Sequence, residues 1–302
     1  MINTVGKLET CLGKLVKHTV GNECLDVIKA IRFLGLRKWL QCLRATRKAE
    51  TSAPKVFSHR LSVCAIMKNE GDYIREWIEY HRLAGIDKFY LYDNESTDDT
   101  HTILTPYVKS GLVDYTYFPI DKPQLPAYND CIRRHASDTK WLAVIDLDEF
   151  IVPISATNLK DMLLEYENGY SQVVINWLLF GNNGLERRTE GLVIERFTRR
   201  GLRHWLSKAI VNPRKIYRVG VHEHIVGGRT ARPDINTVRI NHYHCKSWEE
   251  YVLKAHKGDV MFGHDHGMVK YQRACYDSHN LNDTTDTEIL RFLPALKRVL
   301  GH

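Results

Sequence analysis

The chain has 302 residues, 43% of them hydrophobic, 26% charged and 10% aromatic, a composition that excludes a disordered or fibrous protein. Its formal charge of +7 sits in one place: eleven Lys and Arg against four acidic residues precede Ser58, and the remainder balances. A neutral main body argues against a nucleic-acid enzyme, which carries a basic groove there, and no apolar run approaches the roughly 18 residues of a membrane-spanning helix.

Residues 1–11 lack the apolar stretch of a signal peptide, and the seven cysteines are scattered without a CxxC pair. Both features predict a protein of the reducing cytoplasm. Residues 1–57 read as a basic helical extension, with apolar residues at helical spacing from Leu8 to Leu43 and Gly13, Gly21 and Gly35 as interruptions. In Ile31–Arg44 apolar and basic residues interleave around Trp39. That pattern suits a helix docked on the body with solvated basic faces, and it also suits peripheral contact with an anionic membrane. Thr51–Lys55 reads as a linker.

From residue 58 to 302 the pattern is that of one α/β domain. Leu61–Met67 is a β-rich apolar run, and Gly71–Ala84 follows with helical spacing at Ile74, Trp77, Ile78 and His81. Lys88–Tyr92 is the next strand, and Ser96 suits the cap of a helix through Val108. Strand Val113–Ile120, helix Tyr128–Ala136, strand Trp141–Ile145, helix Leu159–Tyr166 and strand Gln172–Leu179 continue the alternation. Alternation of this kind predicts a doubly wound sheet, which binds ligands beyond the C-terminal ends of its strands. Acidic and amide residues stand at those ends: Lys68-Asn69-Glu70, Asp93-Asn94-Glu95-Ser96 and Asp146-Leu147-Asp148-Glu149. Strand alternation places Asp146 and Asp148 on one face. Two carboxylates there repel unless a cation neutralises them, and hard oxygen ligands favour Mg²⁺ or Mn²⁺. Such a cation stabilises a diphosphate leaving group.

Six blocks together resemble glycosyltransferase family 92 and related family 2-like enzymes. They are Ala65–His81, Phe89–Asp98, Trp141–Phe150, Trp177–Gly184, Val221–His224 and His242–Tyr251, in the family's order over about residues 60 to 260. The resemblance implies a GT-A fold (Rossmann-like, a doubly wound mixed sheet). It also implies an inverting, metal-dependent transfer of sugar from a nucleotide-sugar, usually a UDP-sugar, to a glycan or lipid-linked glycan acceptor. The lack of a signal or anchor segment suggests a cytoplasmic enzyme building a surface polysaccharide, peripheral at the inner face of the membrane. By the same resemblance Asn69 and Glu70 lie near the nucleoside, Asp93 contacts base or ribose, Asp146 faces ribose and metal, and Asp148 ligates Mn²⁺ or Mg²⁺.

GT-A enzymes commonly complete the metal shell with one histidine from the C-terminal part. His242, at the end of the strand-like run from Val238, is the first choice and His222 the second, with His224 and His244 sharing their alternation. A zinc hydrolase is the rival for this His-rich stretch, but HExxH is absent and His264-Asp-His266 lacks a preceding HxH. A nucleotidyltransferase would want a Gly-rich basic loop after the first strand, and Lys68-Asn-Glu-Gly71 is a poor version. Gly181–Gly184 resembles a loop that shapes the acceptor side. For the base of an inverting transfer, Glu195 is chosen over Glu186 and Glu190, because Leu192–Phe197 reads as a rigid strand. Asp148 and Glu149 are the fallbacks. Trp177, Trp205 and Tyr243 are candidates for stacking on sugar.

Overall fold

The computed structural model describes residues 22–256 and 272–301. The expected helix around Leu8–Val16, as well as His264 and His266, lie outside the described residues, as do the side chains of His204 and Trp205.

Two helices, α1 (Asn22–Leu34) and α2 (Leu36–Thr51), come first and break at Gly35, whose φ of 76° ends α1. The alternating part then follows in the expected order. It comprises β1 (His59–Met67), α3 (Gly71–Leu83), β2 (Lys88–Asp93), α4 (Thr100–Lys109), β3 (Val113–Tyr117), α5 (Gln124–His135) and β4 (Thr139–Val144). Strands β3, β2, β1 and β4 lie side by side, all parallel. The chain next forms β5 (Glu149–Pro153), α6 (Leu159–Leu163), β6 (Tyr170–Phe180), the single turn α7 (Val193–Arg196) and β7 (Arg199–Val211). The short strands β8 (Ile216–Arg218), β9 (Ile225–Val226) and β10 (Arg229–Ala231) lead to β11 (Val238–His242). Helix α8 (Trp248–His256), α9 (Arg273–His279), β12 (Thr284–Thr285) and α10 (Leu293–Leu300) complete the described chain.

Beyond β4 the sheet continues β7-β6-β11-β5, with antiparallel β4–β7, β6–β7 and β11–β5 pairs and a parallel β11–β6 pair. The sheet is therefore mixed, as expected. Helix α3 buries Ile74, Trp77, Ile78 and His81, the residues whose spacing predicts it. Its inner face also holds β5. Trp77 Nε1 donates to Glu149 O at 2.9 Å, Tyr80 OH to Ile151 O at 3.0 Å, and Ile151 N donates to His81 Nε2 at 3.3 Å. His81 Nδ1 lies 2.9 Å from Trp77 O, so the ring is neutral with its proton on Nδ1, and burial pushes its pKa down to about 3. These contacts fix the start of β5, the strand that opens just after Asp148.

Three local expectations change. Ser96 does not cap α4, which begins at Thr100; its Oγ instead accepts from Asn69 N at 2.8 Å and ties two strand ends together. Asp146, Leu147 and Asp148 lie in the turn between β4 and β5, because β5 starts at Glu149 and the chain reverses there. Leu192–Phe197 is a helical turn, not a strand. The buried Glu76 carboxylate accepts from Val193 N at 2.8 Å and Ile194 N at 3.1 Å and caps it from another element.

Candidate functional site

The β5–β11 ladder brings two of the site segments to one place. In the β5–β11 pair His242 stands opposite Glu149, and Tyr243 N donates to Asp148 O at 2.8 Å. That register sets His242 Nε2 3.4 Å from Asp148 Oδ2. Ligand atoms of Asp148, His242 and His244 all lie within 4.8 Å of one another, and so do those of Asp146, Asp148 and Glu149. Asp148 is common to the two groups, with Asp146 and Glu149 on one side of it and His242 and His244 on the other.

Two lysines neutralise the carboxylates. Lys208, buried on β7, reaches Asp146 Oδ2 at 2.8 Å and Glu149 Oε1 at 3.8 Å. Burial opposes its charge, but the two carboxylates outweigh burial and raise its pKa. Lys254 on α8 meets Asp148 Oδ2 at 2.5 Å. Burial opposes ionisation of Asp148, yet the Lys254 ammonium and His242 hold its carboxyl well below the usual range. Glu149 goes the other way: burial pushes it well above the usual range, and Lys208 offsets only part of that. On the remaining side Tyr128 OH and Gln124 Nε2 lie 3.2 and 3.4 Å from Asp146 Oδ1.

Helix α8 is aimed by its first turn. Ser247 and Glu250 form a reciprocal capping box, with Ser247 Oγ donating to Glu250 Oε2 at 2.6 Å and Glu250 N donating back at 3.3 Å. Arg196 grips the same carboxylate at 2.7 and 3.0 Å. Burial would raise the pKa of Glu250, but Arg196 and Ser247 bring it down to about 2. One turn further along, Lys254 falls on Asp148. Neither lysine was legible as a site residue. A lysine in the apolar run Leu206–Val211, and a Ser-x-x-Glu box four residues before Lys254, were the available signals.

The remaining candidates are placed as follows. His222 is outside both groups: its Nδ1 lies 3.1 Å from Ser207 O, and its ring meets Trp177 edge-on at 5.4 Å. Trp177 also packs on His242, with centroids 4.3 Å apart, and is 8% exposed. Tyr243 is wholly buried in the core, unlike a residue that stacks on substrate. Asn69 Oδ1 accepts from Thr97 N at 2.7 Å, and Glu70 N donates to Thr100 Oγ1 at 2.9 Å, so this pair joins the loops after β1 and β2. Asp93 is buried, with Oδ1 accepting from Ser96 N at 2.9 Å and Oδ2 from Tyr115 OH at 2.6 Å. Gly181–Gly184 is braced by Asn280 and Asn282, which accept from Asn182 N at 2.8 Å and Asn183 N at 3.0 Å. Glu195 does not join the cluster. Its carboxylate pairs with Lys297 of α10 at 2.6 Å.

The donor set suits a hard divalent cation. His242 Nδ1 is buried without a partner among the described residues, and the Asp148 carboxylate stands beside the ring. The sequence profile described as Glycosyltransferase family 92 matches residues 59–285. The chain belongs to this family. Within family 92 it is similar to a protein of Ricinus communis, 26% identical over 208 residues, which are 66% of this chain and 38% of the relative. The beta-1,4-galactosyltransferase galt-1 of Caenorhabditis elegans is 26% identical over 238 residues, 69% of this chain and 54% of its own. Galactan beta-1,4-galactosyltransferase GALS2 of Arabidopsis thaliana is 28% identical over 194 residues, 57% and 37% of the two chains. The chain spans less than two thirds of each of these relatives. Among solved structures it is similar to S. aureus TarS residues 1–349, with TM-score 0.39 and 15% identity over 80% of this chain and 79% of that one. This family 92 chain has a mixed α/β sheet whose parallel half ends at the acidic turn after β4.

Proposed function

We propose that the protein transfers a sugar from a nucleotide-sugar to a glycan or lipid-linked glycan acceptor, with UDP as the nucleotide and inversion at the anomeric carbon. The observation that carries this reading is that Asp148, just beyond a parallel strand end, is shared by a group with His242 and His244 and a group with Asp146 and Glu149, at the place where a nucleotide ligand binds in such sheets. Relatives named as beta-1,4-galactosyltransferases make galactose the first sugar to test.

In this proposal Asp146, Asp148 and His242, with His244 in place of His222, hold Mn²⁺ or Mg²⁺. Bound there, the cation supplies charge neutralisation of the leaving diphosphate. Lys208 holds the Asp146 carboxylate in place, and Lys254 stands ready to meet phosphate oxygens beside Asp148. Asn69, Glu70 and Asp93 shape the nucleoside side through the loops they hold. A second reading rests on the two lysines: with both carboxylates already paired, the ammonium groups alone carry the diphosphate charge and no metal is needed. Synthesis of a surface polysaccharide on the cytoplasmic side is the setting we propose.

A donor panel of UDP, GDP and CMP sugars, with Mn²⁺ and after EDTA, separates the readings by released nucleotide. Acceptor-dependent release of UDP, lost in EDTA and restored by Mn²⁺, is the expected result. Release that survives EDTA favours the lysine reading. Absence of release from every donor overturns the transferase.

A further inference from the structure

Helices α1 and α2 divide their side chains between the body and the outside by charge. Inward, Asp26 Oδ2 accepts from Thr230 N at 3.1 Å, and Ala30 and Thr46 are buried. Glu50 Oε1 accepts from Arg214 Nε at 2.8 Å and Asn212 Nδ2 at 3.1 Å. Both acidic residues of the 26–51 stretch are thus spent on the body. Outward, Ile28, Phe33 and Leu36 are 50%, 58% and 59% exposed, and Val27 and Leu40 are also exposed. Exposed among and after them are Arg37, Lys38, Arg44, Arg47 and Lys48. The break at Gly35 puts Phe33 and Leu36 at the corner where the two helices meet.

We infer that this outward face docks on an anionic lipid bilayer. Large apolar side chains at a corner, flanked by basic ones, match the boundary between acyl chains and phosphate headgroups: the first insert, the second meet the phosphates. The charge is one-sided because the acidic partners are turned inward, and residues 58–302 are neutral by composition, so this face is drawn to a negative surface. A nucleic acid would meet the basic residues but leave the aliphatic corner in water. The face is also tied to the site. Lys29 of α1 reaches Glu223 at 3.7 Å and Arg232 grips it at 2.6 Å, and Glu223 adjoins His222, whose ring meets Trp177 edge-on. Docking would therefore hold the site at a set height near the bilayer. The inference stands apart from the transferase reading.

The test is sedimentation of the full chain with phosphatidylcholine vesicles, with and without phosphatidylglycerol, at rising salt. Binding to the anionic vesicles alone, weakening as salt rises, is expected. Arg37→Glu/Lys38→Glu and Phe33→Ser/Leu36→Ser should each lower partitioning at least about tenfold. Both pairs are exposed, and an unchanged Tm and unchanged release of nucleotide with a soluble acceptor will show that the body is intact. No sedimentation at low salt, or binding indifferent to both double variants, overturns the proposal. So does lipid-free self-association, measured by light scattering, that the same substitutions abolish, since a second copy would then cover the face.

Discussion

Asp93 and Asp148 both stand at the ends of the parallel half-sheet, and they are held in opposite ways. Beyond β2, both oxygens of Asp93 accept from neutral donors, the backbone of Ser96 and the hydroxyl of Tyr115. Beyond β4, Asp148 is held by the Lys254 ammonium and a histidine ring, and Asp146 by the Lys208 ammonium. The first arrangement closes a turn. The second gathers four charged groups, of which Asp148 and Lys208 are buried and costly unless partnered. A fold gains little stability from such a cluster, so its presence at a strand end points to chemistry. The residue type alone does not tell the two aspartates apart; their donors do.

The largest expected effect comes from neutralising the charged end. Asp148→Asn should lower nucleotide release with acceptor by at least about a hundredfold, because several kcal/mol of charge stabilisation are at stake and each 1.4 kcal/mol or so is a factor of ten. Mn²⁺ affinity, followed by titration calorimetry, should fall with it. Near wild-type turnover would break the contrast and remove Asp148 from the metal site.

Asp93→Asn probes the closed end and should act on stability instead. Its Oδ1 still accepts from Ser96 N, while the new amide must replace an acceptor for Tyr115. A loss of about 1–2 kcal/mol, seen as a Tm lower by several degrees, is expected. UDP affinity should stay within about threefold. Lost UDP affinity at an unchanged Tm would show that Asp93 contacts the nucleoside, as the family resemblance implies.

The parallel half of the fold was legible because its signals are local. Apolar runs, helical spacing at Ile74–His81 and the acidic strand ends are each contained in a few neighbouring residues. His242 was reachable too, as the last residue of a strand-like run. What failed depended on distant partners. Asp146 and Asp148 were assigned one face of a strand, but the start of β5 at Glu149 turns the chain between them, a register fixed by β11 and by Trp77 and Tyr80 of α3. Lys208 and Lys254 have the default reading of solvated side chains; only the β4–β7 pairing and the aim of α8 bring them inward. Leu192–Phe197 is β-rich in composition, yet Glu76, more than a hundred positions earlier, caps its backbone as a helical turn. Burial raises that carboxylate's pKa and the two N–H donors restrain the rise, leaving it at about 7.

Glu195, chosen from the sequence as the base, carries the smallest expected effect. Its ion pair with Lys297 joins side chains that are 37% and 39% exposed, a setting in which such pairs contribute about 0–1 kcal/mol. Glu195→Gln should therefore leave kcat within about twofold and lower the Tm only slightly. Lys297→Met should give the same small loss, and the double variant no more than either, since one interaction is removed in all three. A base behaves differently: its amide variant binds UDP normally and loses kcat by about a hundredfold or more, because the group acts only as the acceptor hydroxyl attacks. That result would require Lys297 to release Glu195 during the reaction. It would also place the base in the helical turn that Glu76 caps and not at the fallback residues Asp148 and Glu149.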